Sequence, residues 1–329
     1  MTQHTIEAGG RTRTYIVVGP EGGPEGGPED GPEDGPEDGP EGGAGARALF
    51  LIFHGSRQTG AKHRTFTGGA FDAPAERGTA VVVYPDGHRG NWNDARRASA
   101  FPARLENVDD VAFTRALIEK LTVSHRIDPG RVFAVGYSNG GQMVMRLAHE
   151  APELIAGAAV IAATMPAPEN FLLASAPPAP MPVLLVHGTK DPIIRYEGGE
   201  PSWWVRTAFK VGGQSLSMPR TAAYFATRNG ITAEPVRTTL PHRPGSPGRT
   251  TVERTDYRQE GRPPVVLYTV HGGGHTIPGP AKAPAVIGRT NQDVSTADLV
   301  AEFFADVRER PEPVRNRAAD SAGPTPRTS

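Results

Sequence analysis

The chain has 329 residues, including 40 Gly and 33 Pro, and its 35 Lys and Arg against 36 Asp and Glu leave a formal net charge of −1. No stretch approaches the roughly 20 apolar residues of a membrane span, and the opening MTQHTIEAGG lacks the basic-then-apolar order of a secretory signal, so a cytoplasmic protein with no membrane partner is the default expectation. With no Cys, disulfides, thiol nucleophiles and thiolate metal sites are excluded, and with Arg96-Arg97 as the longest basic run no nucleic-acid partner is expected.

The first element in chain order is a β-branched run at residues 14–18. Residues 19–42 then read as six tetrapeptides of the form GPE(G/D), with 9 acidic residues and no basic or apolar one. Setting them aside leaves 27 acidic against 35 basic residues, so the repeat masks a body with a net charge of +8. Pro at every fourth position removes amide donors and blocks a helix, and there is nothing apolar to bury, so 19–45 is expected to be a disordered loop. It separates the 14–18 run from an apolar run at 48–53, as an expanded hairpin connection would. Such expansions are inexpensive, each doubling of loop length costing about 0.6 kcal/mol.

Continuous apolar runs follow at 80–84, 132–135, 158–161, 183–186 and 265–268, the pattern of parallel strands covered on both faces. Helical spacing joins several of them. Val108, Val111, Ile118 and Leu121 mark one helix, with Asp109 and Asp110 in its first turn where the dipole favours negative charge. A second helix is expected over about 140–150 and a third over 296–307. Strands alternating with helices predict an α/β fold, a mostly parallel central sheet with helices on both faces, forming a single domain over 11–309. The Pro- and Arg-rich stretch 310–329 is expected to be a disordered tail.

In such sheets chemistry gathers beyond the carboxyl ends of the strands. The 132–135 strand runs into Gly136-Tyr137-Ser138-Asn139-Gly140 and then a helix, which is the G-x-S-x-G nucleophile elbow in its required strand-to-helix setting. A serine hydroxyl needs a base, and the base needs a third group to orient it, in the chain order Ser, acid, His. The 183–186 strand ends in His187-Gly188-Thr189-Lys190-Asp191, which makes Asp191 the leading acid; Asp256 and Asp293 follow no buried strand directly. The 265–270 strand leads into His271-Gly272-Gly273-Gly274-His275, and residue mechanics alone leave both histidines in play as base, with His275 favoured by its place on the loop. Oxyanion donors are expected from the backbone N–H of Asn139 and, in the loop His54-Gly55-Ser56-Arg57-Gln58, from that of Ser56.

Six ordered segments, HGSRQ, YPDGHRGNWND, VDDVAF, GYSNGG, HGTKD and GGGHTIPG, together resemble the polyhydroxybutyrate depolymerase and feruloyl esterase group of α/β-hydrolases, including the LpqC-like esterases. The resemblance spans about residues 48–307. It implies the α/β-hydrolase fold, Ser138 as nucleophile, Asp191 as acid and His275 rather than His271 as base. It also implies serine esterase activity on a small or oligomeric ester, with no metal and no organic cofactor. Gln58, Trp92, Trp203 and Trp204 are candidate substrate contacts. The chain departs from the group in having no Cys and in carrying Ile277 where Trp is common in the final motif. A serine peptidase on the same scaffold, or a non-catalytic binding protein with this fold, are the alternative readings. The loops 195–213 and 241–261 are expected to shape the substrate pocket.

Overall fold

A computed structural model describes residues 3–19 and 46–308, except 174, 176, 178 and 247. The body of the acidic repeat and the 310–329 tail lie outside these residues. Among the described residues a ten-stranded sheet runs in the order β1-β2-β4-β3-β5-β6-β7-β10-β9-β8. The strands are β1 (Gln3–Ala8), β2 (Arg11–Val18), β3 (Arg47–Phe53), β4 (Ala80–Pro85), β5 (Ile127–Tyr137), β6 (Gly157–Ile161), β7 (Val183–Gly188), β8 (Val236–Thr239), β9 (Thr251–Tyr257) and β10 (Val265–His271). From β4 through β10 neighbours pair in parallel, and β1, β2, β8 and β9 add antiparallel margins.

The continuous apolar runs occupy the parallel strands because both faces of these strands are covered. Alternate residues divide between two cores. Leu49, Leu51, Val81, Val83, Val132, Ala134, Val183 and Leu185 pack toward the helices α4 (Asp110–Ser124), α5 (Asn139–Glu150) and α7 (Met218–Arg228), which contribute Leu117, Met143 and Phe225. Phe50, Ile52, Val82, Phe133, Val135 and Leu184 pack on the other face against α2 (Ala73–Glu76) and α8 (Thr296–Arg308), where Phe133 and Phe304 stack with ring centroids 4.3 Å apart. The remaining helices, α1 (Gly60–Phe66), α3 (Pro102–Leu105) and α6 (Trp203–Phe209), lie in the loops near the carboxyl ends of the strands.

Two expectations are corrected. The 14–18 and 48–53 runs do not form a hairpin: β2 pairs with β4, which then separates it from β3. The sheet also begins at Gln3, ahead of the expected start at residue 11, because the exposed–intermediate alternation of β1 makes it a half-covered margin paired to β2 rather than a buried run. The α4 helix begins as the acidic pattern implied. Asp109 is its N-cap, accepting from the Ala112 amide at 2.8 Å.

Asp110 has a second task. Its carboxylate is fully buried, takes Arg13 of β2 at 2.8 Å and the Asn93 amide at 2.7 Å, and so fastens the sheet margin, α4 and the 91–94 turn at one point. Burial raises the Asp110 carboxyl and the Arg13 charge opposes that shift. Removing one member of such a pair strands a buried charge. Asp110→Ala should therefore lower the unfolding free energy by about 3–5 kcal/mol in denaturant titration; a loss below about 1 kcal/mol would contradict this account.

Three buried histidines are held neutral by burial, His54 and His149 down to about 4 and His63 down to about 3. In the unfolded chain each protonates near its ordinary 6.5, so below that pH the unfolded state binds the extra protons. The stability they confer is fully present above about pH 6.5 and is lost on acidification, at about 1.4 kcal/mol per pH unit for each histidine. Thermal midpoints should hold steady from pH 8 to 7 and fall between pH 6.5 and 5, before ordinary carboxylates titrate. A flat profile across that window would contradict the assignment of neutral histidines.

Candidate active site

The β5 strand passes into α5 with one residue between them, and that residue is Ser138, at φ 55 and ψ −115. A non-glycine residue there is strained by roughly 1–3 kcal/mol and has to be held by its surroundings. The Ser138 amide donates to the Ile161 carbonyl at 2.8 Å and its carbonyl accepts from the Gln142 amide at 3.1 Å. The flanking glycines allow the approach. A Cβ on Gly136 would lie 2.2 Å from the Gly140 carbonyl oxygen, and one on Gly140 would lie 2.1 Å from that of Phe53.

Because β3, β5, β7 and β10 run parallel, their following loops meet at one edge. His275 Nε2 stands 2.9 Å from Ser138 Oγ, and its Nδ1 stands 2.7 Å from Asp191 Oδ2. An Nδ1–H donated to the carboxylate leaves Nε2 as the acceptor facing the hydroxyl. The other Asp191 oxygen accepts the amides of Ile193 and Ile194, both at 2.8 Å. Burial alone would raise the Asp191 carboxyl, but the charge of His275 and hydrogen bonds from His187 and His275 outweigh it and hold the group well below the usual carboxylate range. His275 is fixed through its main chain: its amide donates to Ile287 at 2.7 Å and its carbonyl accepts the Tyr137 hydroxyl at 2.6 Å. His271 is exposed and lies 3.9 Å from Glu253, away from the serine. Asp293 binds His242, and Asp256 pairs with Arg254 and Arg258.

The backbone amides of Ser56 and Asn139 donate to no protein acceptor among the described residues, and both residues line the cavity in front of Ser138. Ser56 sits in a braced loop, and Asn139 opens α5 with its side chain anchored. Gln58 Oε1 accepts from the Gly55 amide at 3.2 Å and from His63 Nδ1 at 3.0 Å, while His54 Nε2 accepts the Gly87 amide at 2.9 Å. The Asn139 side chain accepts from the Trp92 amide at 2.9 Å and donates to Asp94 at 2.6 Å. Asp94 is fully buried and paired with Arg96.

The cavity is about 280 Å³ and mostly apolar, lined by Phe66, Phe101, Ile193, Val205, Phe209 and Val211 among others. Phe101, Ile193, Val205 and Val211 form a small core of their own, with α6 as the outer wall. Arg57, which follows Ser56, ties that wall down: its guanidinium lies 5.1 Å over the Phe209 ring and donates to the Ala208 carbonyl.

Of the candidate contacts, Gln58 lines the cavity. Trp92 does not face substrate; it is 0% exposed, with Nε1 donating to the His54 carbonyl at 2.9 Å and its ring set edge-on against Phe53. Trp203 and Trp204 lie on the outer side of α6, 73% and 39% exposed, while their neighbour Val205 points inward. The 195–213 segment does shape the cavity. The 241–261 segment does not, because β9 carries it to the sheet margin.

Sequence reasoning missed Tyr137, Asp94 and His187. Tyr137 is the variable position of the elbow motif, and Asp94 ends a motif whose partners are distant in sequence. His187 stood in plain view four residues before Asp191, a spacing that could have drawn notice.

The phospholipase/carboxylesterase family model matches residues 93–209. The "Putative esterase NocK" of Nocardia uniformis subsp. tsuyamanensis is 32% identical over 265 residues, covering 78% of this chain and 74% of that protein. Feruloyl esterase B of Piromyces equi is 30% identical over 207 residues, covering 60% of this chain and 34% of that longer protein. Among solved structures, the acetyl xylan esterase from Aspergillus awamori shares the fold at a TM-score of 0.50 and 17% identity, covering 79% of this chain and 89% of its own. With about a third of the residues identical across most of both sequences in the first of these relatives, this chain belongs to the esterase family of the α/β-hydrolases.

Proposed function

We propose that the protein hydrolyses carboxylic esters of short or compact acyl groups through an acyl-enzyme on Ser138. One observation carries the reading: His275 bridges Ser138 and Asp191 at 2.9 and 2.7 Å, at the mouth of an apolar cavity. The esterase relatives support the same chemistry.

Nε2 of His275 takes the Ser138 proton as Oγ bonds to the ester carbonyl carbon. Asp191 holds the resulting imidazolium, and the amides of Ser56 and Asn139 receive the oxyanion, each such donor contributing about 3–4 kcal/mol to the barrier reduction. Collapse breaks the bond to the alcohol oxygen, which leaves with the proton from His275. Water, deprotonated by the same nitrogen, then adds to the acyl carbon, and Ser138 departs with its proton restored. Asp191, which burial would otherwise neutralise, stays ionised through this cycle because two imidazoles and two amides converge on it.

At about 280 Å³ the cavity lies at the lower end of the range for small-molecule sites, which fits a short aliphatic or single-ring acyl group better than a long chain. Ser138→Ala should reduce hydrolysis of p-nitrophenyl butyrate by at least about a thousandfold with the thermal midpoint retained. Acetate and butyrate esters should exceed the laurate ester in kcat/KM, with methyl ferulate as the single-ring comparison. Ser138→Ala turnover within tenfold of the parent protein would overturn the nucleophile assignment.

A further inference from the structure

The Asp191 carboxylate has a partner that the three-residue relay does not use. His187, on β7, is 1% exposed, and its Nε2 lies 2.9 Å from the Ile194 carbonyl oxygen and 3.2 Å from Asp191 Oδ2. That same carboxylate oxygen takes His275 Nδ1 at 2.7 Å. The other ring nitrogen of His187, Nδ1, is buried and has no hydrogen-bond partner among the described residues. A nitrogen facing two acceptors carries the proton, and one facing none does not, so the ring is the neutral Nε2–H tautomer. Buried polar atoms in proteins are almost always partnered. A residue serving only to fill this space would be better apolar, so the contribution of the imidazole lies at Nε2.

Building on the Ser138 acyl-enzyme reading, we propose that His187 is a positioning residue for the triad acid, its Nε2–H shared between the Ile194 carbonyl and Asp191 Oδ2. The arrangement closes on itself. Ile194 donates its amide to Asp191 Oδ1 and accepts from His187 through its carbonyl, so the strand end, the turn and the carboxylate form one hydrogen-bonded ring. Two consequences follow. The carboxylate cannot rotate about its side-chain bond without losing donors on both oxygens. Part of the negative charge on Oδ2 is also taken up by His187, which moderates how tightly Asp191 holds the proton on His275. The titratable groups around the ring are Asp191 from its own turn, His275 from the loop after β10, Tyr137 at the end of β5, whose ring is 5.1 Å from that of His275 and whose hydroxyl bonds the His275 carbonyl, and Tyr196, whose ring is 5.9 Å away and edge-on and whose hydroxyl bonds Thr269 at 2.8 Å.

Two variants and the parent protein test this. His187→Leu removes the donor, and His187→Gln restores an N–H near the position of Nε2. In His187→Leu the downfield proton resonance of His275 Nδ1–H should move further downfield. The acid limb of the kcat/KM profile for p-nitrophenyl butyrate should shift to higher pH, and kcat should fall about ten- to a hundredfold with KM little changed. His187→Gln should return the resonance and the acid limb toward those of the parent. An unmoved resonance and acid limb in His187→Leu, or identical behaviour of the Leu and Gln variants, would overturn the proposal. The resonance reads the Asp191–His275 contact whether or not Ser138 proves to be the nucleophile, so failure of the esterase reading is separable from failure of this one. Should His187→Leu not fold, the parent protein decides: ring nitrogen shifts should report an Nε2–H, Nδ1-bare His187 at pH 7 to 8, and an Nδ1–H or doubly protonated ring would overturn the proposal.

Discussion

The site depends on how closely the turn between β5 and α5 approaches the end of β3. Gly140 brings α5 so near Phe53 and His54 that a single methyl group would meet backbone oxygen at 2.1 Å, and Gly136 leaves comparable room on the strand side. That approach forces Ser138 to φ 55 and lifts its hydroxyl clear of the sheet. It also places the amide of Asn139 beside the 54–58 loop, so nucleophile and oxyanion donors arise from one packing event. The strain is held because the Ser138 amide and carbonyl are both hydrogen-bonded and the surrounding strands are fully buried.

Around this turn, buried polar groups hold the reacting atoms by way of their neighbours. Asp94 and Trp92 fix the Asn139 side chain, Gln58 and the neutral His63 brace the loop carrying Ser56, and Tyr137 holds the carbonyl of His275. Main-chain contacts from the Trp92 and Gly55 amides and the His275 carbonyl tie these groups to the sheet, and the side-chain pairs Asn139–Asp94 and Gln58–His63 complete the network. Asp110 extends the network outward, joining Arg13 of the sheet margin to the turn that contains Asp94. Rigidity at the serine therefore has its origin well outside the cavity.

Much of this was legible from local sequence. Ser138, Asp191 and His275 each follow a continuous apolar run, and in a parallel sheet those run ends share an edge, so chain order alone predicts their meeting. The glycines around Ser138 mark close backbone approach for the same reason. What could not be read required partners distant in the chain. Trp92 looks like a substrate contact until Phe53 and the His54 carbonyl are seen to enclose it. The supposed hairpin of 14–18 with 48–53 failed because β4, some thirty residues further on, inserts between them. Likewise the margins β1 and β9 are only partly covered and β8 is exposed along its whole length, and none carries a continuous apolar run, so periodicity did not announce them.

The central claim is that Ser138 is a hydroxyl activated by its position and by His275. Treating the intact protein with a fluorophosphonate and locating the adduct by peptide mass mapping tests it directly, since the reagent captures only a serine with a base and oxyanion donors in place. The account predicts one stoichiometric phosphonate, on the peptide containing Ser138 and absent after His275→Ala substitution. Modification elsewhere in the chain, or none at concentrations that label other serine hydrolases, would contradict it.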